Sequence, residues 1–208
     1  MLILIQIFSI FFITTLIHVF GTFWACRLVG LTIDKVQIFY GRPIYVYWSK
    51  KRKFEFGYIP TGAGVCYDIE EFTKLSTISR LFLSTSGPVA ILLSSFMILS
   101  VSTATQEFIH GFRQIIFGSF SSVMVGVKLI DNCSIMLSNH TYIYGYAVLS
   151  TKIAAFNLFP IPPLNGGHVI VGFITNIKRK VAVTNIGFII LLIAMIRWLY
   201  IIIYRLSI

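Results

Sequence analysis

Acidic side chains are scarce in this 208-residue chain: seven Asp and Glu stand against seventeen Lys and Arg, and charged residues of both signs make up only 12%. So little charge excludes an ordinary soluble domain. With 57% hydrophobic residues and a mean hydropathy of +0.87, the composition is that of a membrane protein. Cysteine is also sparse: Cys26, Cys66 and Cys133 are widely separated and form no Cys-x-x-Cys pair, which argues against a disulfide framework and a metal knuckle.

The formal charge of +10 would suggest nucleic acid in a soluble protein. Here the basic residues sit in connections between apolar runs, so a topology signal explains them and no nucleic-acid partner is expected. Four runs approach or exceed the roughly 20 residues that span a bilayer: about Leu2 to Trp24, Leu81 to Val101, Tyr142 to Ile174 and Val181 to Tyr204. The first lacks a basic leader and a convincing cleavage site, and reads as a retained helix. The third is broken by Pro160, Pro162 and Pro163, which remove backbone donors. Irregular backbone at membrane depth survives only where protein or water covers it, so this segment is expected to line an interior site.

Lys and Arg favour the cytoplasmic side. They crowd the connection after the first run, from Arg27 through Lys50, Lys51, Arg52 and Lys53 to Arg80, and recur at Lys178, Arg179 and Lys180, whereas the middle connection holds only Arg113 and Lys128. Four spans would then put both termini outside the cytoplasm, and Lys50 to Lys53 would meet anionic lipid head groups. Between residues 33 and 67 the chain changes character. Val36-Gln37-Ile38-Phe39-Tyr40 and Ile44-Tyr45-Val46-Tyr47-Trp48 read as strands, with turns at Gly41-Arg42-Pro43 and Ser49 to Lys53. A small sheet follows, either packing or offering an edge to an extended peptide.

The chemistry-bearing residues begin at His18-Val19-Phe20-Gly21-Thr22. This stretch occupies the place where a zinc protease would read His-Glu-x-x-His, a spacing that puts two imidazoles on one helix face with a general base between them. Only His18 remains; Val19 cannot take a proton and Thr22 offers a neutral hydroxyl. Farther on, Asn157-Leu158-Phe159-Pro160-Ile161-Pro162-Pro163-Leu164-Asn165-Gly166-Gly167 resembles the Asn-x-x-Pro-x-Pro-x-Leu-Asp-Gly-Gly motif of the site-2 protease family of intramembrane metalloproteases. Ile59 to Val65 is similar to that family's strand-forming loop, and Ser86-Gly87-Pro88-Val89-Ala90 to its Gly-Pro helix start, with Ile91 replacing the usual Asn.

The resemblance implies a mainly α, polytopic membrane protein of about four transmembrane helices, with a site-2-protease-like core and a small membrane-associated β-sheet. All 208 residues would form one membrane domain, without room for PDZ domains. It also implies that the general base, the second histidine and the aspartate ligand are replaced by Val19, Thr22 and Asn165. A proteolytically inactive relative is therefore expected, binding a transmembrane or extended peptide client or serving as a subunit of a membrane complex. Asn157, Pro160, Pro162, Gly166, Gly167, Gly62 and Gly64 are the expected substrate contacts; no cofactor or catalytic residue is expected. Membrane lipids and a protein partner are expected, in a bacterial inner membrane.

The alternative is an active zinc metalloprotease with atypical or partner-supplied ligands, for which His18 is the residual metal candidate. His168, beside the loop, is expected to make a structural hydrogen bond, and His110 and His140 to be solvent-exposed. His18, Thr22 and Asn165 could form a polar cluster tying helices together or contacting a peptide. A transport role would rest on Lys152 alone.

Overall fold

The computed structural model describes residues 2–49, 52–174 and 176–207. Their order is α1 (Leu2–Leu28), β1 (Ile33–Ser49), β2 (Arg52–Tyr67), α2 (Ile69–Lys74), α3 (Thr77–Phe96), α4 (Val101–Phe120), α5 (Val123–Asn139), α6 (Tyr142–Asn157), α7 (Asn165–Gly172) and α8 (Ile177–Ser207). Helices α1, α3 and α8 are long and apolar enough to cross a membrane. The third apolar run divides as its prolines require: α6 stops at Asn157, turns carry the chain through Pro160, Pro162 and Pro163, and α7 starts at Asn165.

Polar residues punctuate the helices. Asp68 Oδ1 accepts the Glu70 and Glu71 amides at 2.7 and 3.1 Å, and Ser76 and Ser100 cap α3 and α4 through the Ser79 and Thr103 amides, both at 3.1 Å. Each cap satisfies a donor that a helix start leaves without an intrahelical partner. The stretch between the second and third apolar runs, read from sequence as a connection, is the helical pair α4 and α5. Its helices are amphipathic, mixing Glu107, Arg113, Lys128 and Asp131 with apolar residues. A search for unbroken apolar runs passes over such helices.

The sheet occupies the predicted 33–67 stretch. Lys35 to Ile38 lie between two runs of β2, opposite Cys66 to Ala63 on one side and Lys53 to Phe56 on the other, while Pro43 to Ser49 pair with Gly57 to Arg52 as the outer hairpin. The turn expected at Gly41-Arg42-Pro43 lies inside the β1 span: Lys35 to Ile38 advance alongside Lys53 to Phe56, whereas Pro43 to Ser49 run against Gly57 to Arg52, so the chain reverses there, and Gly41 adopts φ +89°, a conformation that glycine tolerates best. The other expected turn centres on Lys50 and Lys51, outside the described residues. Glu55, almost wholly buried, accepts ion pairs from Lys53 at 2.6 Å and Lys35 at 3.2 Å. The Lys53 ammonium, aided by Lys35, holds its carboxyl below the ordinary range against the opposing effect of burial.

Two apolar clusters organise the rest. One gathers Ile10, Leu99, Ala104, Leu137, Tyr146, Ala147 and Val148 from α1, α4, α5, α6 and the α3–α4 connection. The other joins α1, β1 and α3 through Val19, Ala25, Cys26, Leu31, Ile33, Val36 and Leu83, with Ala63 and Val65 of β2 against it. Hydroxyls supply directional ties: buried Thr14 of α1 meets Ser150 of α6 at 2.9 Å, and half-buried Ser94 of α3 meets Tyr146 of α6 at 2.8 Å. Between apolar helices, interhelical hydrogen bonds and close packing supply association that lipid does not drive.

Candidate functional site

Thr14, His18 and Thr22 succeed one another at one-turn intervals on α1 and so share a face. The Thr22 hydroxyl is occupied within its own helix, donating to the His18 carbonyl at 3.1 Å. The His18 ring lies against α3 at Gly87: a methyl group at Gly87 would stand 2.6 Å from His18 Cε1 and 2.7 Å from each ring nitrogen. One turn on, a methyl at Gly21 would meet Ala90 Cβ at 2.5 Å and the Ser86 carbonyl at 2.8 Å. Hydrogen is the only side chain that fits at these crossings. Val19, only 5% exposed, belongs to the apolar cluster beneath the sheet, so the residue that the motif resemblance aligns with a general base serves as a core side chain.

The most telling contact begins with a proline inside a helix. Pro88 lies within α3 and has no N–H, so the carbonyl four residues earlier, that of Ser84, loses its regular helical donor. Asn165 supplies one: its Nδ2 donates to Ser84 O at 2.7 Å, joining the first residue of α7 to α3. A carboxylate has no proton to offer there, whereas an amide has two. The interhelical tie anticipated for Asn165 thus exists but runs to α3. Among the described residues no hydrogen bond links the side chains of His18, Thr22 and Asn165 to one another.

The loop residues have structural duties of their own. Asn157 turns its Nδ2 back to the Ile153 carbonyl at 3.0 Å. A Cβ at Gly166 would collide with the Leu158 carbonyl, and one at Gly167 with the Pro162 backbone, so both glycines are demanded by the fold of the loop over α7. Pro162 is buried, whereas Pro160 is exposed. Gly62 and Gly64 lie in β2 beside the Tyr40 side chain, whose hydroxyl donates to the Ala63 carbonyl at 3.2 Å. His168 borders a small cleft with Phe72, Arg80, Ser84 and Phe173. His110 sits on α4 with Nδ1 4.0 Å from Glu107, and the His140 ring packs on Tyr144 at 4.6 Å.

A zinc centre of the catalytic kind takes about three protein ligands and an open position. Of the three positions that the motif resemblance would make ligands, one carries an imidazole, one a hydroxyl already donating within its helix, and one a neutral amide committed to Ser84. Among the described residues no group of three or more His, Cys, Asp or Glu is placed to hold a metal ion. The donor set therefore does not fit the ion. Sequence reasoning missed Ser84, although Pro88 advertises a freed carbonyl four residues before it. It also missed the Thr14–Ser150 and Ser94–Tyr146 ties, which depend on helix pairing and leave no sequence signal.

No curated protein matches the chain. The model of peptidase family M50 matches residues 6–196. That match spans nearly the whole fold, from α1 through most of α8, and the chain belongs to peptidase family M50, the site-2 protease family.

Proposed function

We propose that this integral membrane protein has exchanged zinc-dependent peptide hydrolysis for binding: it holds a transmembrane or extended peptide client, or acts as a subunit of a membrane complex, on the scaffold of its family. The Asn165–Ser84 hydrogen bond carries this reading. It commits the aspartate-ligand position to holding α7 on α3, a job for which an amide is suited and a carboxylate is not. The loss of a base at Val19 and of an imidazole at Thr22 agrees with it. The receptor for an extended client would be the outer hairpin strand Pro43–Ser49, whose Ile44, Tyr45, Tyr47 and Trp48 are exposed and which, among the described residues, pairs on one side only; an open strand edge can add another strand. In this proposal the proline-broken run from Tyr142 to Ile174 supplies a fourth span beside α1, α3 and α8, and the protein resides in a bacterial inner membrane with both termini outside the cytoplasm, its basic connections facing anionic lipid.

The test is elemental analysis of protein purified from membranes in mild detergent, beside a His18→Ala control, with a candidate client assayed for cleavage. The expected result is zinc far below one per chain, unchanged by His18→Ala, and an intact client. Near-stoichiometric zinc that disappears in His18→Ala, together with chelator-sensitive cleavage, would overturn the proposal in favour of an active enzyme with unconventional ligands.

A further inference from the structure

Helix α6 carries one charged residue, Lys152, in an otherwise uncharged sequence. An ionisable side chain in such surroundings is costly unless paired. Its partner is Glu107 of α4, 3.2 Å away, both side chains being about three-quarters buried at 25% and 22% exposure. Four residues along α4 comes Gly111, where a methyl group would stand 3.0 Å from Ala155 Cβ and 3.1 Å from Lys152 Cα. The two helices touch almost backbone to backbone. The next residue, Phe112, stacks on Phe159 with ring centres 5.7 Å apart and an interplanar angle of 28°.

These three contacts advance together along both chains, from 107 against 152, through 111 against 155, to 112 against 159. Phe159 lies beyond the end of α6, inside the segment that leads from Asn157 to Asn165. Helix α4 therefore grips the loop as well as the helix before it. We propose that Glu107 and Lys152 form a latch through which α4 sets the shape of the Asn157–Asn165 segment, making them positioning residues for the site. The inference is independent of whether the site binds a client or cleaves one.

A bland alternative is that Glu107 merely neutralises Lys152. The two accounts separate when the charges are removed together: the double variant Glu107→Gln/Lys152→Met abolishes the ionic tie while leaving no charge to be neutralised. The reporter is maleimide labelling of Leu164→Cys, half-buried at the start of α7, in protein whose Cys26 and Cys133 are replaced by Ala. Native Cys66, exposed on β2, serves as the internal reference.

The latch predicts that labelling of position 164 relative to Cys66 rises about fivefold in Glu107→Gln and in the double variant, the scale of one partly exposed ion pair. The charge-swapped Glu107→Lys/Lys152→Glu should return it to near the parental ratio. An unchanged ratio in the double variant, or a swap that fails to restore it, overturns the proposal. So does a lowered unfolding temperature with an unchanged ratio, which would make the pair a stabilising contact alone. If the double variant loses helical signal by circular dichroism, the alternative charge-free pair Glu107→Gln/Lys152→Gln decides, judged by the same ratio.

Discussion

The bond between Asn165 and the carbonyl freed by Pro88 makes a prediction that a double-mutant cycle can refute. Asn165→Ala removes the donor at 2.7 Å and leaves Ser84 O, inside the α3–α7 contact, without a partner. An unsatisfied buried acceptor costs about 1–3 kcal/mol, and because the site is only half-buried the lower half of that range, about 1–2 kcal/mol, is expected. The distinguishing step is to repeat the change in Pro88→Ala. Restoring the residue-88 N–H returns to Ser84 O its helical donor, so the cost of Asn165→Ala should fall below about 0.5 kcal/mol, a coupling of roughly 1 kcal/mol between residues in one network.

Asn165→Asp sharpens the argument by setting an ionised carboxylate against the same carbonyl, and should cost more than Asn165→Ala at neutral pH. Unfolding by denaturing detergent in mixed micelles, followed by circular dichroism, gives the four corners of the cycle. Equal costs of Asn165→Ala with and without Pro88 would refute the reasoning. So would an Asn165→Asp variant as stable as the parent.

Further expectations concern the crossings, the polar ties and the sheet. Gly87→Ala should destabilise by about 1–3 kcal/mol as overpacking against the His18 ring, and His18→Ala should relieve most of that cost; the same unfolding assay reads both. Thr14→Val strips Ser150 of its interhelical partner and should cost about 1 kcal/mol, with Ser150→Ala adding little on top. Val19→Glu places a carboxylate in the apolar cluster that holds Cys26, Ile33 and Leu83 and should cut the yield of folded protein, as measured by gel filtration. Glu55 titrates below its ordinary value because Lys53 and Lys35 face it, so its contribution is complete above the unfolded-state value of about 4.3 and is lost as the pH falls through the lower folded-state value. The pH dependence of unfolding should flatten over that acidic window in Glu55→Gln.

Much of the architecture was legible because it rests on local chemistry. Apolar runs marked α1, α3 and α8, Pro160 to Pro163 marked the break between α6 and α7, and alternating aromatic and β-branched residues marked the sheet. Helices α4 and α5 escaped notice because their charges interrupt hydrophobicity, although those charges are what join α4 to α6 at Glu107–Lys152 and α5 to α8 at Asp131–Arg205.

The sequence by itself determined the membrane character, the family scaffold and which side chains stand at positions 19, 22 and 165, because these depend on which functional groups are present. Where those groups are used was decided by the tertiary structure. Pro88 announces an orphaned carbonyl anywhere it occurs inside a helix, but only the packing of α7 on α3 brings the Asn165 amide 81 residues away to answer it. A hydrogen bond needs a donor and an acceptor within about 3 Å, and for residues so distant along the chain that proximity is created by the fold.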